Sequence, residues 1–253
     1  MQKLPLWSRL CGLSLCSALL ATPAWAQDET GDSAFAISGG VAAMTDYVWR
    51  GVSQTGGDPA VQGEVFVQHD SGLFAGVWAT NVDFTGAGDE DDGIDAEVDV
   101  YLGYSLALGE TQTLDLQATR VIYPGANDGF DYDYSEFQAA LHFGEYYNAL
   151  VAYSPDIFGL GEGAFYYSAG AELPIADTGF GLNLQVGYYD LDDAAGDSYF
   201  DYLVAVTHPL GPLQFALQYT NTASYGDALA ENLDDASDAD DTVALVAGWA
   251  FGE

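Results

Sequence analysis

From about residue 34 onward the chain alternates apolar and polar side chains with a period of two, in runs of about ten residues. Successive side chains of a strand point to opposite faces, so such runs are strands with one apolar and one polar face. The segment Phe180 to Tyr188 is the clearest. Phe180, Leu182, Leu184, Val186 and Tyr188 share one face, and Gly181, Asn183, Gln185 and Gly187 the other. Leu213, Phe215, Leu217 and Tyr219 repeat the pattern opposite Gln214, Gln218 and Thr220. Val98, Val100, Leu102, Tyr104 and Leu106 oppose Asp95, Glu97, Asp99 and Ser105. The last run aligns Val243, Leu245, Trp249 and Phe251. No segment shows a helical period.

Twelve such runs are expected, over 34–50, 60–69, 73–83, 94–108, 111–122, 131–143, 147–154, 163–173, 180–190, 199–207, 212–221 and 242–251. Their connections sort by length. Short turns fall at His69 to Gly72, Leu108 to Thr111, Gly144–Glu145, Pro174 to Gly179 and His208 to Pro212. Between them lie longer stretches near 51–59, 84–93, 123–130, 155–162, 191–198 and 222–241, rich in Gly, Asp and Asn. Short turns interleaved with one more long loop is the pattern of an even-stranded membrane barrel. A soluble sandwich gives no reason for its connections to sort in this way. The expected fold is therefore all-β, a transmembrane antiparallel up-and-down barrel of twelve strands. Both termini should be periplasmic and the six acidic loops external.

The first 26 residues read as a cleaved targeting segment. Lys3 and Arg9 precede the apolar stretch Leu10 to Ala21, and Ala24-Trp25-Ala26 offers small residues at a cleavage site. The mature chain, 27–253, would be a single outer-membrane barrel domain. Both cysteines, Cys11 and Cys16, belong to the removed segment, which leaves no disulfide or thiol metal site. Lys3 and Arg9 also depart with it, so only Arg50 and Arg120 remain to balance 39 acidic residues. A surface this negative repels phosphates and excludes nucleic acid as a partner.

The segments Met44–Thr55 (MTDYVWRGVSQT), Asp58–Gly63 (DPAVQG) and Ser71–Asp83 (SGLFAGVWATNVD) resemble the signature of the TorF-type porins, signal-bearing barrel proteins of Gram-negative bacteria. The resemblance covers about the first third of the mature chain and implies a porin-like protein of the outer membrane.

With the apolar parity set against lipid, the opposite parity lines the lumen. The residues expected there are Arg50, Gln62, Glu64, Glu97, Asp99, Asp115, Glu136, Glu172, Gln185, Asp201 and Gln214. Carboxylates outnumber bases among them, which favours passage of cations. Pairing of the first two strands would set Arg50 opposite Gln62 and diagonal to Glu64. Tyr47 and Trp49 fall on the lipid parity, and with Tyr188, Tyr219, Trp249 and Phe251 they would form aromatic girdles. Trp249-Ala250-Phe251 also resembles the signal read by the barrel assembly machinery. Arg120 falls on the lipid parity, where only the interface or a bulge accommodates it.

No catalytic motif, phosphate loop, dinucleotide fingerprint or metal-ligand spacing is present, so no cofactor and no enzymatic activity are expected. His69, His142 and His208 are spread over different turns. The expected function is passive diffusion of small solutes, with outer-membrane lipid and lipopolysaccharide as surroundings. The alternative is a closed structural or surface-interaction barrel without transport.

Overall fold

A computed structural model describes residues 34–84, 92–233 and 236–252. The expected signal segment lies outside these residues, as does most of the acidic stretch at 85–91. Twelve strands close into one antiparallel barrel: β1 (Phe35–Met44), β4 (Ala60–His69), β5 (Leu73–Asn81), β6 (Ala96–Ala107), β7 (Gln112–Ile122), β8 (Tyr134–Phe143), β9 (Tyr147–Ser154), β10 (Ala164–Pro174), β11 (Gly181–Leu191), β12 (Asp197–Leu210), β13 (Leu213–Ala223) and β14 (Thr242–Gly252). Each barrel strand from β4 pairs with the next, β1 pairs with β4, and β1 closes on β14 with Val41 opposite Trp249. Two further strands of two residues each, β2 (Val48–Trp49) and β3 (Val52–Ser53), form a hairpin of their own between β1 and β4.

The period-two pattern is realised as read. Val61, Val65, Leu102, Leu217, Val243 and Leu245 are each more than half exposed on the outer wall. Water would not tolerate so continuous an apolar face, and closed backbone pairing suits it to a hydrocarbon surround. Aromatic rings gather at both rims of this band. Tyr153, Phe165, Tyr167, Phe200 and Tyr219 stand toward the long-loop end, and Phe35, Phe143, Tyr147, Phe180, Trp249 and Phe251 toward the short-turn end. An apolar belt edged by two aromatic girdles is the exterior of a transmembrane barrel.

Several sequence expectations change. The first strand ends at Met44, not near residue 50, because the chain turns inward at Thr45–Asp46. Tyr47 and Trp49 are accordingly not girdle residues: Tyr47 is 2% exposed and packs on Trp78 inside the barrel. Strand β12 runs on through Pro209 to Leu210, leaving Gly211 and Pro212 as the turn. Proline is tolerated there because β11 pairs with β12 only as far as Thr207, so one side of the strand is already unpaired. Short helical turns also occur in the long loops, α1 (Asp192–Ala195) and α2 (Asp227–Asn232). They are too short to carry a readable period. Arg120 keeps strict alternation and points outward near the loop end, 3.3 Å from Asp133, so no bulge is needed.

Candidate functional site: the occupied lumen

Residues Thr45–Thr55 fold into the barrel as a hairpin. Arg50 and Gly51 form its two-residue turn, with φ of 49° and 83°. Positive φ at both central positions is what a tight type I′ turn demands. Gly51 meets this without strain and also lies flat on the wall: a Cβ there would sit 2.8 Å from both Asp201 Cβ and Thr222 Cγ2. Arg50 adopts the same region without that freedom, so other contacts hold it there.

The hairpin is pinned by its own polar side chains. Ser53 Oγ donates to Asp46 Oδ1 at 2.6 Å, and Thr55 Oγ1 donates to the same oxygen at 3.1 Å. The Gln54 amide donates to Tyr47 O at 2.7 Å, and the Tyr47 amide to Thr55 Oγ1 at 3.2 Å. These bonds satisfy backbone and carboxylate that would otherwise be stranded away from water. A further bond, Asp83 N to Gln54 O at 2.9 Å, ties the hairpin to the next long loop.

At the tip, Arg50 Nη2 donates to Glu136 Oε2 of β8 at 2.7 Å, and both side chains are almost fully shielded from solvent. The guanidinium carbon sits 4.1 Å from the centroid of Trp49, 4.1 Å from that of Tyr166 and 4.6 Å from that of Tyr189. Burial alone would push the guanidinium toward neutrality, but the Glu136 carboxylate overrides it and raises the Arg50 pKa above its ordinary value. The wall half of this cage is firmly set. Tyr166 donates to Asp201 Oδ1 at 3.2 Å and accepts from Gln185 Nε2 at 3.1 Å. Tyr189 packs on Tyr166 and Tyr199 at 5.5 and 5.8 Å. Gly187 makes room: any Cβ there would strike Asp201 Oδ2 and the Tyr166 hydroxyl.

The structure sorts the remaining candidates into two groups. Gln62, Glu64, Glu97 and Asp99 stand in the long-loop half of β4 and β6, in pairing rows that run Gln62–Thr80–Glu97 and Glu64–Trp78–Asp99. Glu64 accepts from Tyr101 OH at 2.5 Å. Gln62 and Glu97 are buried, while Glu64 and Asp99 are half-buried. Asp115, Glu172 and Gln214 lie toward the short-turn end, away from Arg50. Asp115 is fully buried, accepts from Ser105 Oγ, and faces His142 Nε2 at 3.2 Å. His142 therefore has a carboxylate neighbour. Ser105 donates to the carboxylate and not to the imidazole, which is not the order of a nucleophilic relay.

Arg50 is not opposite Gln62: that place is taken by Ala42, and Arg50's partner is 86 residues away. The inward aromatics Trp49, Tyr166 and Tyr189 were missed altogether. A signal was present in the adjacent pairs Tyr166–Tyr167 and Tyr188–Tyr189, since in each pair alternation forces one ring inward.

A closed twelve-stranded barrel with an apolar, twice-girdled exterior and a polar interior is the porin-like class of transmembrane protein, the architecture of bacterial outer membranes. The chain belongs to the family described as "Bacterial protein of unknown function (Gcw_chp)", whose model matches residues 28–249. Among solved structures it is similar to an outer membrane channel from Pseudomonas putida F1, at 14% identity and a TM-score of 0.50 over 91% of this chain and all of that one. It also aligns with the NanC porin (12% identity, TM-score 0.49, 86% of this chain and 99% of that one). The KdgM porin aligns at 5% identity and a TM-score of 0.47, over 85% of this chain and 98% of that one. No curated protein sequence matches the chain.

Proposed function

We propose that the protein is a narrow, cation-preferring channel for small solutes, with the inward hairpin restricting its long-loop end. The observation that carries this reading is the charge of the inner wall. Glu64, Glu97, Asp99, Glu136 and Asp201 stand on inward positions, and Arg50 is the basic residue set among them. Such an excess of carboxylates draws cations and repels anions. In this reading both termini face the periplasm and the acidic loops face outward. The girdles sit in lipid and lipopolysaccharide, and Trp249 and Phe251 present the strand read by the assembly machinery. The resemblance of residues 44–83 to TorF-type porins agrees with it, and no catalysis is involved.

A second reading, a closed barrel, is favoured by one specific observation. Arg50, Gln62, Glu97, Asp115, Glu136 and Asp201 are each below 7% exposed, so much of the interior is packed and dry. Purified protein in planar bilayers separates the two. Stepwise ohmic conductance, with a reversal potential shifted toward the cation under a salt gradient, supports the channel. Silence of both the wild type and a variant lacking the Arg50 side chain supports the closed barrel.

A further inference from the structure

We propose that the cage around Arg50 is a recognition site for a guanidinium-bearing solute, and that Arg50 is its tethered stand-in. The proposal rests on the channel reading for its purpose but not for its test. Of the groups that hold the guanidinium, only Trp49 travels with the hairpin. Glu136, Tyr166 and Tyr189 belong to β8, β10 and β11 and stay with the wall when the hairpin leaves.

What would remain is a carboxylate beside two ring faces that meet at 74°. That geometry selects a flat, delocalised cation. A guanidinium is weakly hydrated, stacks on aromatic faces and donates along its edge to a carboxylate, whereas a compact ammonium holds its water and cannot stack. The wall rings are themselves positioned by Asp201, Gln185 and Tyr199, bonds that do not involve the hairpin. The receptor therefore keeps its form without its tethered occupant. Arg50 meanwhile holds a positive φ that its side chain does not favour, a cost set by the β2–β3 turn itself.

A tethered group competes as if present at an effective concentration on the order of millimolar. A free solute therefore binds the intact protein weakly and the protein lacking the Arg50 side chain much better. Arg50→Gly is the suitable truncation because glycine accepts the positive φ of the turn.

The test uses the full mature chain in detergent, with methylguanidinium as probe and methylammonium and urea as controls at matched chloride. Tryptophan fluorescence, to which Trp49, Trp78 and Trp249 contribute, and the thermal midpoint are the readouts. Methylguanidinium is expected to raise the midpoint of Arg50→Gly and change its fluorescence at a concentration at least tenfold below that needed for the wild type. Urea should do neither, and methylammonium should need several-fold more. Adding Glu136→Gln should abolish the response. No response in Arg50→Gly, equal response to methylammonium, or a response that survives Glu136→Gln would each overturn the proposal. Should Arg50→Gly not assemble, Arg50→Lys keeps a charge beside Glu136 but gives up the stack. Methylguanidinium must then act on it at a lower concentration than on the wild type, and equal concentrations overturn the idea. Binding without bilayer conductance would sink the channel reading alone, and conductance without binding would sink this one alone.

Discussion

Replacing Glu136 by Gln tests whether the Arg50 pair holds the hairpin down. The two side chains are 4% and 6% exposed and 2.7 Å apart, so the substitution leaves a charge without its counter-ion in a dry place. Removing one partner of a buried pair costs about 3–5 kcal/mol. Gln still offers Arg50 an acceptor, and the three rings still hold the guanidinium at roughly 0.5–2 kcal/mol each. A net loss of about 2–3 kcal/mol is therefore expected, roughly a 30- to 150-fold fall in the ratio of docked to released hairpin. Hydrogen exchange reads this directly, because local opening exposes amides independently of global unfolding. The Tyr47 and Gln54 amides, protected by Thr55 Oγ1 and Tyr47 O, should exchange faster by that factor. Amides of the β11–β12 ladder should be unchanged. An unaltered rate at 45–57, or an equal acceleration around the whole barrel, would refute a latch at Glu136.

Gly51→Val should release the hairpin by another route, since its Cβ would collide with Asp201 and Thr222 at a positive φ that a β-branched residue resists. Bilayer current through this variant should be larger or noisier than wild type while the unheated protein still migrates as a folded barrel. The double change Glu97→Gln and Asp99→Asn removes two inward charges at constant size. It should move the reversal potential under a salt gradient toward zero, and an unchanged value would show that ions do not pass that level. Arg120→Ala, by contrast, breaks an ion pair whose Arg is half exposed, 3.3 Å from Asp133. Exposed pairs contribute about 0–1 kcal/mol, so its unfolding midpoint should stay near wild type.

The wall was legible in the sequence and the filling was not, for a physical reason. A strand in a barrel obeys one local rule, alternation, and that rule placed Glu64, Glu97, Asp99, Glu136 and Asp201 on the inner face without any tertiary knowledge. The hairpin obeys a different rule over the same residues. Tyr47 and Trp49 also alternate, and read as a continuation of β1 they fall on the lipid parity. What ends that continuation is the inward turn at Thr45–Asp46 and, at the hairpin tip, the φ > 0 pair Arg50–Gly51, and Arg is not a residue that announces such a turn. The partner of Arg50 was beyond local reasoning, since Glu136 lies 86 residues on and meets it only after the barrel closes. His142 and Asp115 became neighbours in the same way, through the pairing of β7 with β8.

Barrel size explains why such a hairpin is needed. Diameter grows with strand number, and about eight strands enclose a space that wall side chains can fill. Twelve leave a gap that must hold water or chain. Filling it with an apolar segment would strand the inner carboxylates dry and unpaired, at several kcal/mol each. This hairpin solves both problems. Tyr47 and Val52 supply bulk, Asp46 is satisfied within the hairpin by Ser53 and Thr55, and one guanidinium is delivered to the carboxylate that needs it. The filling is consequently docked through one ion pair, ring packing and the Asp83–Gln54 backbone bond, and not through strand pairing with the wall. The bonds of the β ladder do not run through a segment attached in that way, so its release would leave the membrane-spanning wall as it is.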